Sequence, residues 1–391
     1  MTESYTYTAG AIMEPTLSSV RRRAAMYVGD TGVAGLHHLV DYLLDAVWSD
    51  ARRGACRDFA LEVGTEGAVS LFSTGRFAPP AELAEVVRGR GFGQRTPLEP
   101  EWGRDSLLRD GYWGIGVPVA LALSSRYEVD TWDGARQWHL SGVEGHSTGA
   151  PREVQPAEPP PIAAEKGIRI RLVPDATLFD TAAFDAEKLS HRCRELAFLV
   201  PGVRARFTDH RTGENTRLHY SGGVAERLLE LTADAPRRHP EPLSFDVEWE
   251  GFRVRGALQW CEAEGDTWSY ANMVPITGYT GRFGAHVNGV FQALLEALAE
   301  LTGKRVRAFS RQMLDRGLRA IVALESVEEH PPFGVPTQGL LAIRGLKQAV
   351  TAQLRPCLVE TLRGHPLTPW LVEHGRVRPM PAVVSRRRPR D

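Results

Sequence analysis

Two periods organise the apolar positions of this chain. Leu36, Leu39, Val40, Leu43, Leu44 and Val47 recur at i, i+3, i+4 spacing, which predicts a helix from about Gly35 to Ala51 with one buried face. Along the same helix Tyr42, Ala46 and Asp50 stand four residues apart, so they stack on one side, with Asp45 next to the row. A period of two takes over at residues 57–63 and 68–72, a predicted hairpin turning at Gly64–Gly67. Residues 127–130 and 137–140 predict a second hairpin turning at Asp133–Gly134, flanked by Trp132 and Trp138. Residues 166–174 alternate as one more strand, and 243–259 as two strands around Gly251. Helical spacing returns at residues 116–124, 290–301 and 346–363. Strands and helices are interleaved throughout, which predicts an α+β protein.

A chain of 391 residues exceeds one ordinary core, so two domains are expected. The best linker is the Pro-rich stretch 233–243, dividing the chain into 1–232 and 233–391; residues 151–164, rich in Pro, Ala and Glu, form a loop. Basic and acidic residues balance, 47 against 48, which argues against a surface built to coat nucleic acid. The run Arg386–Arg388 near the end is read as a solvated terminus. Cys56, Cys193, Cys261 and Cys357 are scattered without CxxC pairing, as in a reducing compartment without structural zinc. No apolar run approaches a membrane span and residues 1–10 lack the order of a signal peptide, so a cytoplasmic protein is expected.

Several motifs occur in a fixed order: RRR at Arg21–Arg23, MYVGDT at Met26–Thr31, GLHHLV at Gly35–Val40, and STGRFAP at Ser73–Pro79. They continue with GYWGIG at Gly111–Gly116, CRELAFL at Cys193–Leu199, HYSGG at His219–Gly223, and YANMVP at Tyr270–Pro275 with GAH at Gly284–His286. This series resembles the N-terminal ATPase region of the gyrase B and topoisomerase IV family. The resemblance implies a GHKL (Bergerat) α/β sandwich followed by a transducer domain resembling the second domain of ribosomal protein S5. It also implies a homodimer closed by an N-terminal arm, for which Tyr5 is the candidate contact, and possible pairing with gyrase subunits. The family continues into a DNA-cutting domain that this stretch does not match, so strand passage by this chain alone is not expected.

The residues that carry the family's chemistry are replaced. Where the resemblance places a water-activating Glu and a magnesium-holding Asn, this chain has Tyr42 and Ala46. Magnesium requires oxygen ligands, and Ala46 has none to offer. A phenol with an unperturbed pKa of about 10 is a poor general base at neutral pH. Ser73 replaces the Asp that accepts the adenine amino group, Phe77 a glycine beside the base, and Ile168 a second polar contact. Gln338 replaces the Lys that reaches the γ-phosphate and supplies positive charge there. Arg76 is retained and expected to pair with Asp50.

These departures imply a gyrase B-like protein that has lost ATP hydrolysis. Its nucleotide pocket is expected to be remodelled into an apolar, aromatic cavity for a non-nucleotide small molecule, or filled in. Tyr42, Asp45 and Asp50 are the candidates for any cofactor-free chemistry. Ala46, Ser73, Arg76, Phe77, Tyr112, Trp113, Ile168 and Gln338 are the candidate pocket lining. Gly111, Gly114 and Gly116, just before a helix start, either hold an anion or keep the backbone path while Tyr112 and Trp113 fill the vacated space. No metal or cofactor is called for. Two other readings stay open: a non-enzymatic gyrase decoy, regulator or self-resistance protein, and a weak ATP-binding paralogue.

Overall fold

The computed structural model describes residues 17–89, 106–107, 110, 112–155, 162–276, 284–326 and 343–377. The chain divides into two compact units, residues 1–223 and 224–391, with the boundary at the first residue of the helix Gly223–Leu231.

The first unit begins with two short helices, α1 (Leu17–Arg22) and α2 (Ala24–Val28), and the long α3 (Val33–Arg52). Asp30 starts α3: its Oδ1 accepts the amides of Gly32 (2.8 Å) and Gly35 (3.0 Å), satisfying donors the first turn leaves open. Leu36, Leu39, Val40, Leu43, Leu44 and Val47 are fully buried, as the helical period predicts. Then come β1 (Asp58–Val63), β2 (Val69–Thr74), α4 (Pro80–Val87), a π-helical turn (Tyr112–Gly116) and α5 (Val117–Ala122). The strands β3 (Ser124–Trp132), β4 (Gln137–Val143), β5 (His146–Ser147), β6 (Arg152–Val154) and β7 (Gly167–Pro174) precede α6 (Ala186–Leu199), β8 (Arg204–Asp209) and β9 (Glu214–His219).

Among the described residues these strands form one nine-stranded sheet, ordered β5-β4-β3-β7-β2-β1-β8-β9, with β6 added beside β4. Both predicted hairpins are present, β1 against β2 and β3 against β4, while β1 and β8 run parallel. Neighbouring strand positions face opposite sides. The row Ser73–Ile168–Thr131 is buried on the side of the helices, and the next row, Phe72–Arg169–Asp130, lies on the other face.

The second unit holds α7 (Gly223–Leu231), β10 (Leu243–Trp249), β11 (Phe252–Trp260), β12 (Asp266–Ala271), β13 (Val274–Pro275), α8 (Ala285–Thr302), α9 (Arg311–Leu314), β14 (Leu318–Ser326), α10 (Leu346–Leu362) and α11 (Thr368–His374). Its sheet order is β10-β11-β14-β12-β13, with β12 and β14 parallel and α8 in the crossover between them. The hairpin β10–β11 turns through Glu250 and Gly251, both at positive φ (45° and 81°). Trp260, Leu294, Leu298 and Leu354 are fully buried in its core. Helices α8 and α10 touch at Gly289, where an added Cβ would lie 2.8 Å from the Cβ of Val350. No described helix is long and apolar enough to cross a membrane.

Candidate functional site

The row on α3 faces three different surroundings. Tyr42 is half-buried and its hydroxyl donates to the Tyr27 carbonyl across 2.7 Å, tying α3 to α2. The Tyr42 ring lies so close to Gly116 that a Cβ there would stand 2.9 Å from Tyr42 Cδ1. Its other neighbour is His38, ring edge to face at 4.8 Å. Burial pushes the phenol up to about 12, with the charge of Asp45 adding to it, so the hydroxyl stays protonated.

Ala46, one turn on, is completely buried. Asp50, one turn further, is completely buried too and carries two partners. Arg76 Nη1 donates to its Oδ1 at 2.5 Å, the pair expected from the sequence, and Trp113 Nε1 donates to its Oδ2 at 3.0 Å. Burial still pushes the Asp50 carboxyl up to about 6, against the pull of Arg76. Asp45 faces away toward α6. It makes no hydrogen bond or ion pair among the described residues, and burial pushes it up to about 7 while Arg192 pulls it back. Arg192 itself is engaged by Asp41 (2.8 Å) and Glu195.

Sequence reasoning missed Asp110, which is 2% exposed and lies just ahead of the glycine run. Its Oδ2 accepts from Ser49 Oγ (2.8 Å) on α3 and from Arg53 Nη1 (2.6 Å) just past the helix end. Its Oδ1 accepts the amides of Tyr112 (3.0 Å) and Trp113 (3.3 Å), and its carbonyl accepts Gly114 N at 2.6 Å. The backbone amides of this segment therefore already meet a carboxylate, the protein's own. The only signal in the sequence is an acidic residue directly before a glycine-rich turn, which is too common to single out.

Tyr112 and Trp113 are 8% and 2% exposed, and Tyr112 packs edge to face on Trp48 at 5.9 Å. Ser73 and Ile168 are 1% and 2% exposed and pair across β2 and β7. Phe77 is half-buried against Trp138, ring centroids 5.4 Å apart. Gly114 and Gly116 are buried in the π-helical turn. Tyr5, Gly111 and Gln338 lie outside the described residues, as does the run Arg386–Arg388. The structure thus brings Asp50, Arg76 and Trp113 together. It directs the Tyr42 hydroxyl to α2 instead, and Tyr42 and Asp50 stand two helical turns apart, a rise of about 12 Å.

A family model described as DNA gyrase B matches residues 223–369. The chain is 31% identical over 372 residues to the gyrase B protein of Haloferax volcanii, an alignment that covers 90% of this chain and 56% of that protein. It therefore spans little more than half the length of that relative, and less of others. Among solved structures, gyrase B from Myxococcus xanthus superposes with a TM-score of 0.83 at 46% identity, covering 92% of this chain and 99% of that one. The 43K ATPase domain of Thermus thermophilus gyrase B, solved in complex with an aminocoumarin, superposes with a TM-score of 0.73 at 25% identity, covering 91% and 92%. The α+β fold expected from the sequence, a GHKL sandwich followed by a transducer-type sheet, is the fold these structures share with the chain.

Proposed function

The chain belongs to the DNA gyrase B family, and from that premise we propose that it is a non-hydrolysing member whose nucleotide site is filled by its own side chains. On this reading it acts by binding, as a partner of gyrase subunits or of a second copy of itself. The observation that carries the proposal is the Trp113 indole, which closes on the fully buried Asp50 beside the retained Arg76. Both oxygens of this carboxylate already accept a donor, and neither has exposed surface at which to meet a water.

The remaining positions support the same reading. Ala46 presents a buried methyl group where magnesium would need an oxygen. The Tyr42 hydroxyl is spent on the Tyr27 carbonyl and keeps its proton through the physiological range, so it is no base. The turn amides of Tyr112 and Trp113 are taken by Asp110. These residues do not fit a magnesium–triphosphate complex. The same burial favours a filled pocket over an apolar cavity for another small molecule, because Ala46, Ser73, Trp113 and Ile168 have almost no exposed surface to offer a ligand.

Titration calorimetry with ATP and magnesium tests the first half: no saturable heat is expected, and tight binding with hydrolysis would overturn the proposal. Sedimentation of the chain alone and mixed with gyrase B tests the second half. A self-dimer or a mixed complex is expected; a monomer that ignores gyrase B would leave the binding role without support.

A further inference from the structure

The face of the nine-stranded sheet turned away from the α3 row carries a cavity of about 720 Å³. It is built from outward positions of five adjoining strands, β1, β2, β7, β3 and β4, with β6 at its edge. Its walls are more polar than apolar, and its charges are unevenly used. Asp130 is taken by His139 Nδ1 at 2.9 Å, and Glu62 faces His210 Nε2 at 3.4 Å. Arg152 and Arg171 make no hydrogen bond or ion pair among the described residues, although Arg171 stands directly across from Glu128 on β3 and Ser70 on β2. Two guanidinium groups with their donors unspent therefore face one cavity, while two of its three carboxylates are already paired.

A second cavity, of about 560 Å³, shares a wall with the first at Gln137, Val154, Gln155 and Arg169. Its character differs: Trp132, Ala163 and Ala164 line it. The Trp132 indole is held flat, stacked on Phe72 at 5.2 Å and 8°, with its Nε1 donating to the Ala164 carbonyl at 3.2 Å. The volumes match ligands of nucleotide or disaccharide size.

We infer that this face is a second ligand site, distinct from the α3 row, for a small oxyanion carrying a flat ring. Arg152 and Arg171 take the phosphate or carboxylate, since a guanidinium fork matches either group through paired N–H donors. Trp132 offers the ring an apolar platform next door. The free carboxylate of Glu128 beside Arg171 selects ligands that also bring a hydroxyl or amino donor to the anionic group and turns away bare polyanions.

Titration calorimetry on the full chain tests this with AMP, pyrophosphate and citrate as probes. AMP carries phosphate and ring together, pyrophosphate the anion alone, and citrate a carboxylate in place of the phosphate. Saturable binding of AMP is expected, tighter than that of pyrophosphate or citrate. Arg171→Ala and Arg152→Ala should each weaken it about ten-fold or more, and Arg171→Lys less. Both arginines are exposed surface positions, so the variants should fold, which circular dichroism checks. Trp132→Leu should lower AMP affinity and leave pyrophosphate unchanged. Tyr42→Phe, on the other face, should change nothing. No saturable binding by any of the three probes, or AMP binding that both arginine variants leave intact, overturns the inference. AMP binding lost in Tyr42→Phe but kept in the arginine variants would also count against the proposed filled nucleotide site, which separates the failure of one proposal from the failure of the other.

Discussion

The Trp113 indole N–H donates to Asp50 Oδ2 across 3.0 Å, inside a core where neither residue is more than 2% exposed. A residue from the glycine-rich segment thereby closes over a carboxylate on the long helix. The two belong to motifs far apart in the chain, and their contact decides what either can still do.

Trp113→Phe should cost about 1–3 kcal/mol of stability, because it removes the donor and leaves Asp50 Oδ2 buried without a partner. Trp113→Ala should cost more, about 3–5 kcal/mol, since it also opens a cavity. Urea midpoints of the two variants measure both effects. If Trp113→Phe is as stable as the wild type, the indole N–H contributes nothing.

On the proposed reading, Tyr42→Glu combined with Ala46→Asn should give no ATP turnover. In Tyr42→Glu with Ala46→Asn, Asp50 remains enclosed by Arg76 and Trp113, and Ser73 and Ile168 remain buried. A coupled ATPase assay is expected to read background. Turnover above background would mean that these two residues alone had silenced the site.

Gly116→Ala offers a test of sign. Gly116 has helical angles (φ −64°, ψ −50°), where alanine ordinarily stabilises by a few tenths to about 1 kcal/mol. Here the new Cβ would meet the Tyr42 ring at 2.9 Å, so the variant should instead lose about 1–3 kcal/mol. In a Tyr42→Ala background the same change should become neutral or stabilising. A double-mutant cycle by chemical denaturation reads the coupling, and additive effects would deny the contact.

Asp45 should make stability depend on pH in a recognisable direction. It titrates near 3.8 when unfolded and near 7 when folded, so between those values the folded state holds the extra proton. Its contribution is fully present below pH 3.8 and is lost as pH rises through 7. Histidines held below their usual value, such as His286, push the other way, so the comparison is between the wild type and Asp45→Asn. Moving from pH 8 to pH 6 should stabilise the wild type by roughly 1 kcal/mol more than the variant. Parallel thermal melts across that range would contradict the burial of this carboxyl.

Much of the site is legible in the order of residues alone. The α3 row follows from helical spacing, and the Asp50–Arg76 pair follows from the motif order. Asp110 is not legible in that way. Its bonds to Ser49 and Arg53 join residues far apart in the chain, and nothing at either end announces the other. The direction of the Tyr42 hydroxyl is hidden too, because it depends on where α2 packs. The grouping of Arg152, Arg171 and Trp132 on one sheet face requires β6 beside β4 and the strand order β4-β3-β7, which no local pattern encodes.

Local spacing and side-chain chemistry determined the elements of this protein, its family resemblance and the lack of a side-chain oxygen at Ala46, since each depends on residues near in sequence or on one side chain. Packing decided the rest. A carboxylate becomes enclosed, a hydroxyl committed or an arginine left unpaired only when the sheet and helices bring distant groups within hydrogen-bond distance and exclude water from the space between them.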